Sequence, residues 1–513
     1  MKYYVTTAID YANAAPHIGH AYEKIAADVV ARYQRLLGKD VFFLTGTDEH
    51  GIKVEKAAAA AGKSPQEFVD EIAGKFEDAW KRLMLSNDFF IRTTQDRHKK
   101  VVQEVFRRMK AKGDVYKGSY KGLYCEGCED FVRERDLKDG KCPNHLKEPK
   151  EVQEENYFFR LTKYKDALRE WLKSPDGHVK PDGRRLEVLN QLDDPELGDF
   201  SCTRSRSSLS WGIPVPDEPE QVIYVWIDAL TNYITGAGFD TDENAWKKWW
   251  PADLHLLGKD ITKFHAIYWP AMLMSADIEL PRLVFGHGFI TVEGQKMSKS
   301  LGNVLDPVYL VDTFGVDAIR YFLFEANTFD QDGDFSRADM VNKANSHLGK
   351  GLGNLLNRVV TLLDKNFEST MPDLPLDQAM LDSIESSSKK YHENMADLEF
   401  AKAIKAVFEG IVDEANRYIS DRKPWDSFKA GRKDEGGAVL ATVMCMLKRS
   451  AILLAPITPK LSADIWEQLG FTSDIQKVTV QSDDYKTCVP VGQKVKNLGP
   501  VFKQIEDPCA AKA

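Results

Sequence analysis

The sequence predicts a doubly wound parallel α/β sheet, interrupted by an insertion and followed by an α-helical bundle domain, on three observations. Strand, helix and strand signals succeed one another by Leu44. Residues 113–225 then break that rhythm with charge-rich, Gly- and Pro-punctuated sequence. After Asp330 strand signals nearly vanish in favour of long helical periods. With 513 residues the chain exceeds the ~250 to 300 at which single cores stop growing, so several domains are expected. Hydrophobic content of 43% and charged content of 29% exclude a mainly disordered chain.

Residues 3–8 read as a β-branched and aromatic strand, followed by a loop with Pro16 and Gly19. Ile25, Ala26, Val29, Val30, Tyr33 and Leu37 then recur at helical spacing, and Gly38 closes the helix. Val41–Leu44 gives the second strand. Parallel strands joined by a right-handed helical crossover make half of a Rossmann-type sheet. Ligands of such sheets sit beyond the carboxyl ends of the strands, where residues 9–20 must lie. Residues 1–112 are therefore read as the first half of a nucleotide-binding domain and 113–225 as the insertion. The alternation is expected to resume with strands over Val222–Trp226 and Asp253–Leu257. Gly258-Lys259-Asp260 leads into a helix through Phe264, Ile267, Met272 and Met274, giving a second half over 226–335. Helical periods over 337–364, 376–394, 398–421, 436–455 and 460–469 form the bundle, 336–480. Residues 481–513, with Pro490, Pro500 and Pro508, read as an irregular tail. The run Gly349-Lys350-Gly351-Leu352-Gly353 sits inside a helical period with no preceding strand and is read as helix packing.

A net charge of -9 gives no global attraction to nucleic acid, so any RNA contact must come from local patches. Met1-Lys2 runs directly into the first strand, with no secretory leader. The longest apolar stretch, Ile452–Ile457, is broken by Pro456 and falls short of the ~20 residues that span a bilayer. The expectation is a cytoplasmic protein without membrane contact. Seven cysteines are too few for a disulfide framework. Cys125, Cys128, Cys142 and His145 instead have knuckle spacing on both sides, with Gly127 and Gly140 in the turns. That pattern, over about 121–153, suits one Zn²⁺, structural because four protein ligands close its coordination sphere.

His17 and His20 bracket Gly19 at the start of the first helix, where free backbone N–H groups and the helix dipole favour an anion. Far downstream, Lys296-Met297-Ser298-Lys299-Ser300 follows Gly286, Gly288 and Gly294, a setting that suits a mobile loop with two cations and two hydroxyls. No Gly-x-x-x-x-Gly-Lys-Ser/Thr run is present, so a P-loop is excluded. On one interrupted sheet the two segments resemble the signature motifs of class I aminoacyl-tRNA synthetases.

Further segments resemble the methionyl-tRNA synthetases. These are the knuckle, Ala8–Asn13, Thr45–Gly51, Val225–Ala229 with Tyr233, and Phe264–Leu273. The resemblance implies ATP-dependent ligation of L-methionine to tRNA(Met) through methionyl-adenylate, releasing AMP and pyrophosphate. In that chemistry the amino-acid carboxylate attacks the α-phosphorus, so positioning and electrostatic stabilisation by histidines, lysines and the Mg²⁺ that accompanies ATP carry catalysis. His17, His20, Lys296 and Lys299 are the implied catalytic set. Gly19, Gly258, Asp260, Met297 and Ser298 would join them at ATP. Ile9, Tyr11, Trp226, Ala229, Tyr233, Ile261 and His265 would form the methionine pocket, with Asp48 at the α-ammonium. Trp425, read as exposed beside Arg422 and Lys423, with Asn354 and Arg358 on a facing helix, would meet the anticodon by stacking on unpaired bases. The chain stops soon after the bundle, without the appended domain that dimerises some relatives, so a monomer is expected. Rival readings are a cysteine-specific synthetase, whose zinc would be open, and a nucleotidyltransferase, which would lack the helical tail. A catalytically inert synthetase scaffold is a third.

Overall fold

The computed structural model describes residues 1–125, 130–132, 134–143, 147–297 and 303–507. Strands Lys2–Thr7, Asp40–Asp48, Phe89–Arg92, Leu254–Gly258 and Val284–His287 form the body of one parallel sheet. Lys2–Thr7 lies between Asp40–Asp48 and Leu254–Gly258, so the strand order reverses between the first and fourth of these strands. That switch point is where doubly wound sheets hold ligands. The crossover helix Ile18–Leu36 is apolar toward the sheet at Ile25, Ala26, Val29 and Val30, yet it also buries Glu23, Lys24 and Asp28. Three charged groups on a buried helix demand partners, and two of them find theirs at the switch point.

The insertion brings two antiparallel sheets. Val115–Cys125 runs against Lys150–Phe159, flanked by Asp130–Val132 and Phe200–Ser201. Thr203–Ser205, Glu218–Ile223 and Pro214–Val215 make the second. Here the sequence expectation is corrected. Val222–Trp226 is not a strand of the main sheet, because the strand ends at Ile223 in this small sheet and helix Val225–Gly236 starts two residues later. The β-branched and aromatic run masks a helix whose Ile227, Leu230 and Ile234 are buried. The insertion also returns to the main sheet, since Val179–Lys180 pairs in parallel with Val284 and Phe285 at its edge.

The bundle follows the expected helices closely. Arg337–Lys343 continues through residues 344–353 into Asn354–Phe367, the middle stretch being widened to i→i+5 bonding, as in Asn354 N–H to Gly349 O. The Gly-rich run lies in this stretch, where a Cβ at Gly353 would stand 3.0 Å from Leu348 O. Gln378–Ala396, Phe400–Val407, Asp413–Arg422 and Pro459–Gln468 surround Lys433–Leu454. That last helix corrects the hydropathy reading. By length and composition it reaches what a membrane span needs, but 94% of its most apolar window is buried inside the protein, as a helix apolar all round must be at a bundle centre. The segment after residue 480 runs back over the molecule. Val480 N–H donates to Leu36 O, Met371 N–H to Gln493 O, and Ile505 N–H to Asn345 Oδ1.

Candidate active site

A cavity of about 1230 Å³ opens at the switch point. Ile9, Tyr11, Asp48, Trp226, Ala229, Tyr233, Ile261 and His265 all line it, as do His17, Gly19, His20, Gly258, Asp260, Lys296 and Met297. Ser298 and Lys299 lie outside the described residues.

His17 caps the first helix from extended backbone, its Nδ1 accepting the Gly19 N–H at 3.1 Å, while the His17 N–H donates to His20 Nδ1 at 3.2 Å. The two rings stack at 3.7 Å, 19° apart. With each Nδ1 used as an acceptor, the neutral rings carry their proton on Nε2. Burial, then His17 and Lys24, push His20 far below the usual imidazole range. The helix mouth thus offers uncharged N–H donors beside its own backbone N–H groups. A Cβ on Gly19 would stand 3.0 Å from the His17 ring and 3.1 Å from Met297 Cε, so the two motifs meet here and leave room for no side chain between them.

Met297 and Lys296 arrive on a short hairpin. Glu293 and Gly294 both have positive φ, 50° and 74°, as tight two-residue hairpin turns require. Gly294 N–H donates to Asp334 Oδ1 at 2.8 Å, and Arg337 N–H to Glu293 Oε1 at 3.0 Å. Gly286 and Gly288 do not serve loop mobility, contrary to the sequence reading. A Cβ at Gly288 would stand 1.9 Å from Gln331 O, and one at Gly286 2.6 Å from Thr262 Oγ1. They permit close packing, and Gly294 alone of the three occupies a turn.

Across the cavity, Trp226 stacks on Phe264 at 3.7 Å and 4°. Tyr233 donates its hydroxyl to His265 Nε2 at 2.7 Å, and His265 Nδ1–H donates to Ile261 O at 3.0 Å, which fixes the tautomer. Burial lowers His265 to about 4, only partly offset by the Ile261 carbonyl and Glu23. Phe264–Tyr268 is again a widened turn, with Trp269 N–H bonded to Phe264 O. Asp48 ends its strand opposite Tyr11, and its carbonyl accepts the Ala12 N–H at 2.8 Å. The loop beyond is pinned through Asp228, which binds His50 Nδ1 at 2.7 Å and His98 Nε2 at 2.8 Å. Burial raises the Asp228 carboxyl, but these two imidazoles outweigh it and hold it at about 2. Asp260 is pushed up by burial, partly offset by backbone N–H groups.

Sequence reasoning missed one element, a buried charged chain beneath the helix mouth. Lys24 Nζ lies 2.6 Å from Asp10 Oδ1 and 3.0 Å from Glu23 Oε1, and His287 Nε2 lies 3.1 Å from Glu23 Oε2. Burial carries Asp10 up to about 7 against the pull of Lys24. For Glu23 the upward push of burial is outweighed by Lys24 and His287. The available signal was a charged pair one helical turn beyond His20, amid apolar positions.

Of the predicted zinc ligands, Cys125 and Cys142 are buried. Cys125 ends its strand opposite Asp130, and Cys142 follows the Lys138–Lys141 bridge, its N–H donating to Lys147 O. Cys128 and His145 lie outside the described residues. Among the described residues, no group of three His, Cys, Asp or Glu is arranged to hold a metal.

At the bundle, Arg358 Nη2 donates to Asn416 Oδ1 at 2.9 Å, tying its helix to Asp413–Arg422, and Asn354 is exposed. Trp425 is not exposed as the sequence suggested. It is half-buried against the bundle core at the start of helix Pro424–Lys429, after Lys423 turns the chain with φ 44°.

Residues 3–151 and 146–360 match the family model for tRNA synthetases class I (M), and 377–497 match that for the anticodon-binding domain of tRNA ligase. The sheet with its interrupted halves, joined to a helical bundle, is thus that of a class I tRNA synthetase. The methionine–tRNA ligase of Thermotoga maritima is 45% identical over 99% of this chain and 81% of its own length, and that of Nostoc is 44% identical over 98% and 97%. Mycobacterium tuberculosis methionyl-tRNA synthetase in complex with methionyl-adenylate superposes with a TM-score of 0.93 at 39% identity, covering 98% of this chain and 99% of that one. The chain belongs to the methionyl-tRNA synthetase family.

Proposed function

We propose that this chain joins L-methionine to tRNA(Met) at the expense of ATP, through methionyl-adenylate, with release of pyrophosphate and AMP. The observation that carries the reading is the one cavity lined both by the helix mouth with its two imidazoles and by an apolar aromatic wall, with Met297 packed over Gly19. In the first step a methionine carboxylate oxygen bonds to the α-phosphorus and the bond to pyrophosphate breaks. In the second, a tRNA hydroxyl attacks the acyl carbon and AMP leaves.

The His17 and His20 Nε2–H groups and the helix N-terminus suit the phosphate oxygens, and Lys296 and Lys299 suit the charge that grows on departing pyrophosphate. Each well-aimed donor of this kind is worth about 3 to 4 kcal/mol of barrier. A thioether is polarisable and gains ~0.3 to 1.5 kcal/mol from each aromatic contact, which suits it to the wall of Tyr233 and Trp226. His265, neutral and bonded to Tyr233, fixes the far end of that wall, and Asp48 is assigned to the α-ammonium. Mg²⁺ bound with ATP would neutralise phosphate charge, and the cavity carboxylates Asp10, Glu23 and Asp260 are at hand for ribose, amine or metal-bound water. Structural zinc is assigned to Cys125, Cys128, Cys142 and His145 on their knuckle spacing, and Cys125 and Cys142 are both buried. The reading extends to a cytoplasmic monomer.

Methionine should stimulate ATP–pyrophosphate exchange more than any other amino acid, and preference for cysteine or leucine would end the proposal. Lys296→Ala should slow that exchange about 10²- to 10³-fold. Trp425→Ala should weaken tRNA charging by about one order of magnitude, the scale of one lost base stack. It should leave exchange near wild type. Equal loss in both assays would remove the anticodon assignment.

A further inference from the structure

The buried chain of charged groups beneath the helix mouth joins three elements of the cavity. Lys24 Nζ lies 2.6 Å from Asp10 Oδ1 and 3.0 Å from Glu23 Oε1, and His287 Nε2 lies 3.1 Å from Glu23 Oε2. All four side chains are more than nine-tenths buried. Asp10 stands on strand Asp10–Tyr11, between Ile9 and Tyr11 of the cavity wall, and that strand pairs with Thr47 and Asp48. Glu23 and Lys24 stand one helical turn beyond His20. His287 ends strand Val284–His287 and sets its Nδ1 2.7 Å from Gly288 O, just ahead of the Ile290–Val292 strand that leads to Lys296 and Met297.

Replacing a buried ion pair by apolar side chains of similar volume is often neutral or stabilising, so stability alone does not account for such a chain. What charge-assisted hydrogen bonds add is register, because they fix both direction and separation where apolar surfaces can slide. We propose that Asp10, Lys24, Glu23 and His287 are positioning residues for the reaction, a strut that holds the methionine wall, the ATP helix mouth and the base of the Lys296 hairpin at one mutual spacing. The inference rests on the function proposed above, and the strut acts through the groups that it places.

The Asp10–Lys24 contact bridges the walls of the two substrates. Asp10 carries Ile9 and Tyr11 and, through strand pairing, Asp48, all on the methionine side. Lys24 lies on the helix that presents His17 and His20 to phosphate. A carboxylate that must meet a phosphorus in line is sensitive to that separation, and a shift of about 1 Å costs up to roughly 10²-fold in rate. The Glu23–His287 contact sets the same helix against the strand from which the hairpin springs. Because one pair serves both substrates, cutting it should weaken both, whereas loss of a group that touches one substrate would weaken that one alone.

The test measures the KM of methionine and of ATP in pyrophosphate exchange by the full chain, with urea midpoints in parallel. Asp10→Leu, which takes from Lys24 its nearer carboxylate, should raise both KM values about tenfold and lower the midpoint. Asp10→Asn keeps an oxygen for Lys24 and should hold both KM values within about threefold of wild type. Asp10→Leu combined with Lys24→Met removes both ends of the contact. It should recover most of the lost midpoint while both KM values stay raised, and it carries the comparison should Asp10→Leu alone fold poorly. Return of the KM values together with the midpoint would mark a merely structural pair and overturn the proposal. So would a rise confined to one substrate, no rise in Asp10→Leu, or an Asp10→Asn as impaired as Asp10→Leu. Lack of methionine-dependent exchange in the wild type would instead overturn the function on which the inference rests.

Discussion

A histidine that accepts a tyrosine hydroxyl in an apolar pocket has to stay uncharged, and His265 is built to do so. Its folded value, about 4, lies below the ordinary ~6.5 of an unfolded chain. Between these limits the unfolded state holds one more proton, so stability rises with pH by about 1.4 kcal/mol per unit from this group. The contribution is complete above ~6.5 and is lost as pH falls toward 4. His20 and His255, both pushed well below the imidazole range by burial, add in the same sense. Asp10 and Asp317, carried up by burial to about 7 and about 6, act in the opposite sense over the same window, so urea midpoints measured from pH 4 to 7 should fall on the acid side only by the surplus of the histidines. His265→Asn should flatten that slope by close to one proton, and an unchanged slope would mean that the ring is charged in the fold. At this scale the motif histidines were legible from their place at a helix start, and the aromatic wall only through the resemblance to the methionyl-tRNA synthetases. Asp10, Glu23, Lys24 and His287 were not, since only packing brings four separate positions onto one chain of contacts.

At the scale of elements, the period of apolar residues located most helices of the bundle, because buried faces at 3.6-residue spacing leave little choice. It failed at residues 222–226, where strand-forming side chains begin a helix that tertiary contacts hold, with Asp228 bridging His50 and His98. It failed too for Val179–Lys180, a strand too short to have a period. Glycine meaning was half legible. Gly46, in the middle of strand Asp40–Asp48, is fixed by its neighbour strand, since a Cβ there would stand 1.9 Å from Ile91 O and 2.7 Å from Ile91 Cγ2. Gly46→Ala must push the strands apart, which overpacked sites resist at a cost of about 1 to 3 kcal/mol. Because Thr47 and Asp48 follow directly, the displaced strand end should also raise the methionine KM in pyrophosphate exchange. A variant with wild-type stability and KM would show that the sheet absorbs the methyl group without moving the site.

For the whole molecule the question is how a bundle that meets RNA is held in register with a sheet that meets ATP. One apolar core runs from the first helix through the bundle, and inside it sits Arg320, fully buried. Its guanidinium donates to Asp28 Oδ2 at 2.6 Å on the first catalytic helix and to Leu83 O at 3.1 Å. It also reaches Ile457 O at 2.8 Å and Pro456 O at 2.9 Å, at the end of the central bundle helix. A planar fork of five donors satisfies such a set, and lysine does not. Arg320→Gln would leave three carbonyls short of donors and Asp28 dependent on Arg32 and Ser86, which bind it at 2.7 Å and 2.6 Å. Removing one partner of a buried pair of this kind costs about 3 to 5 kcal/mol. The midpoint of chemical denaturation should fall accordingly, with Arg320→Lys between the two. In the surviving folded enzyme, tRNA charging should fall more than methionine-dependent exchange, because the cavity keeps its own wall while the bundle loses its polar anchor. A loss below about 1 kcal/mol, or equal losses in both assays, would mean that apolar packing alone sets the register of the two domains.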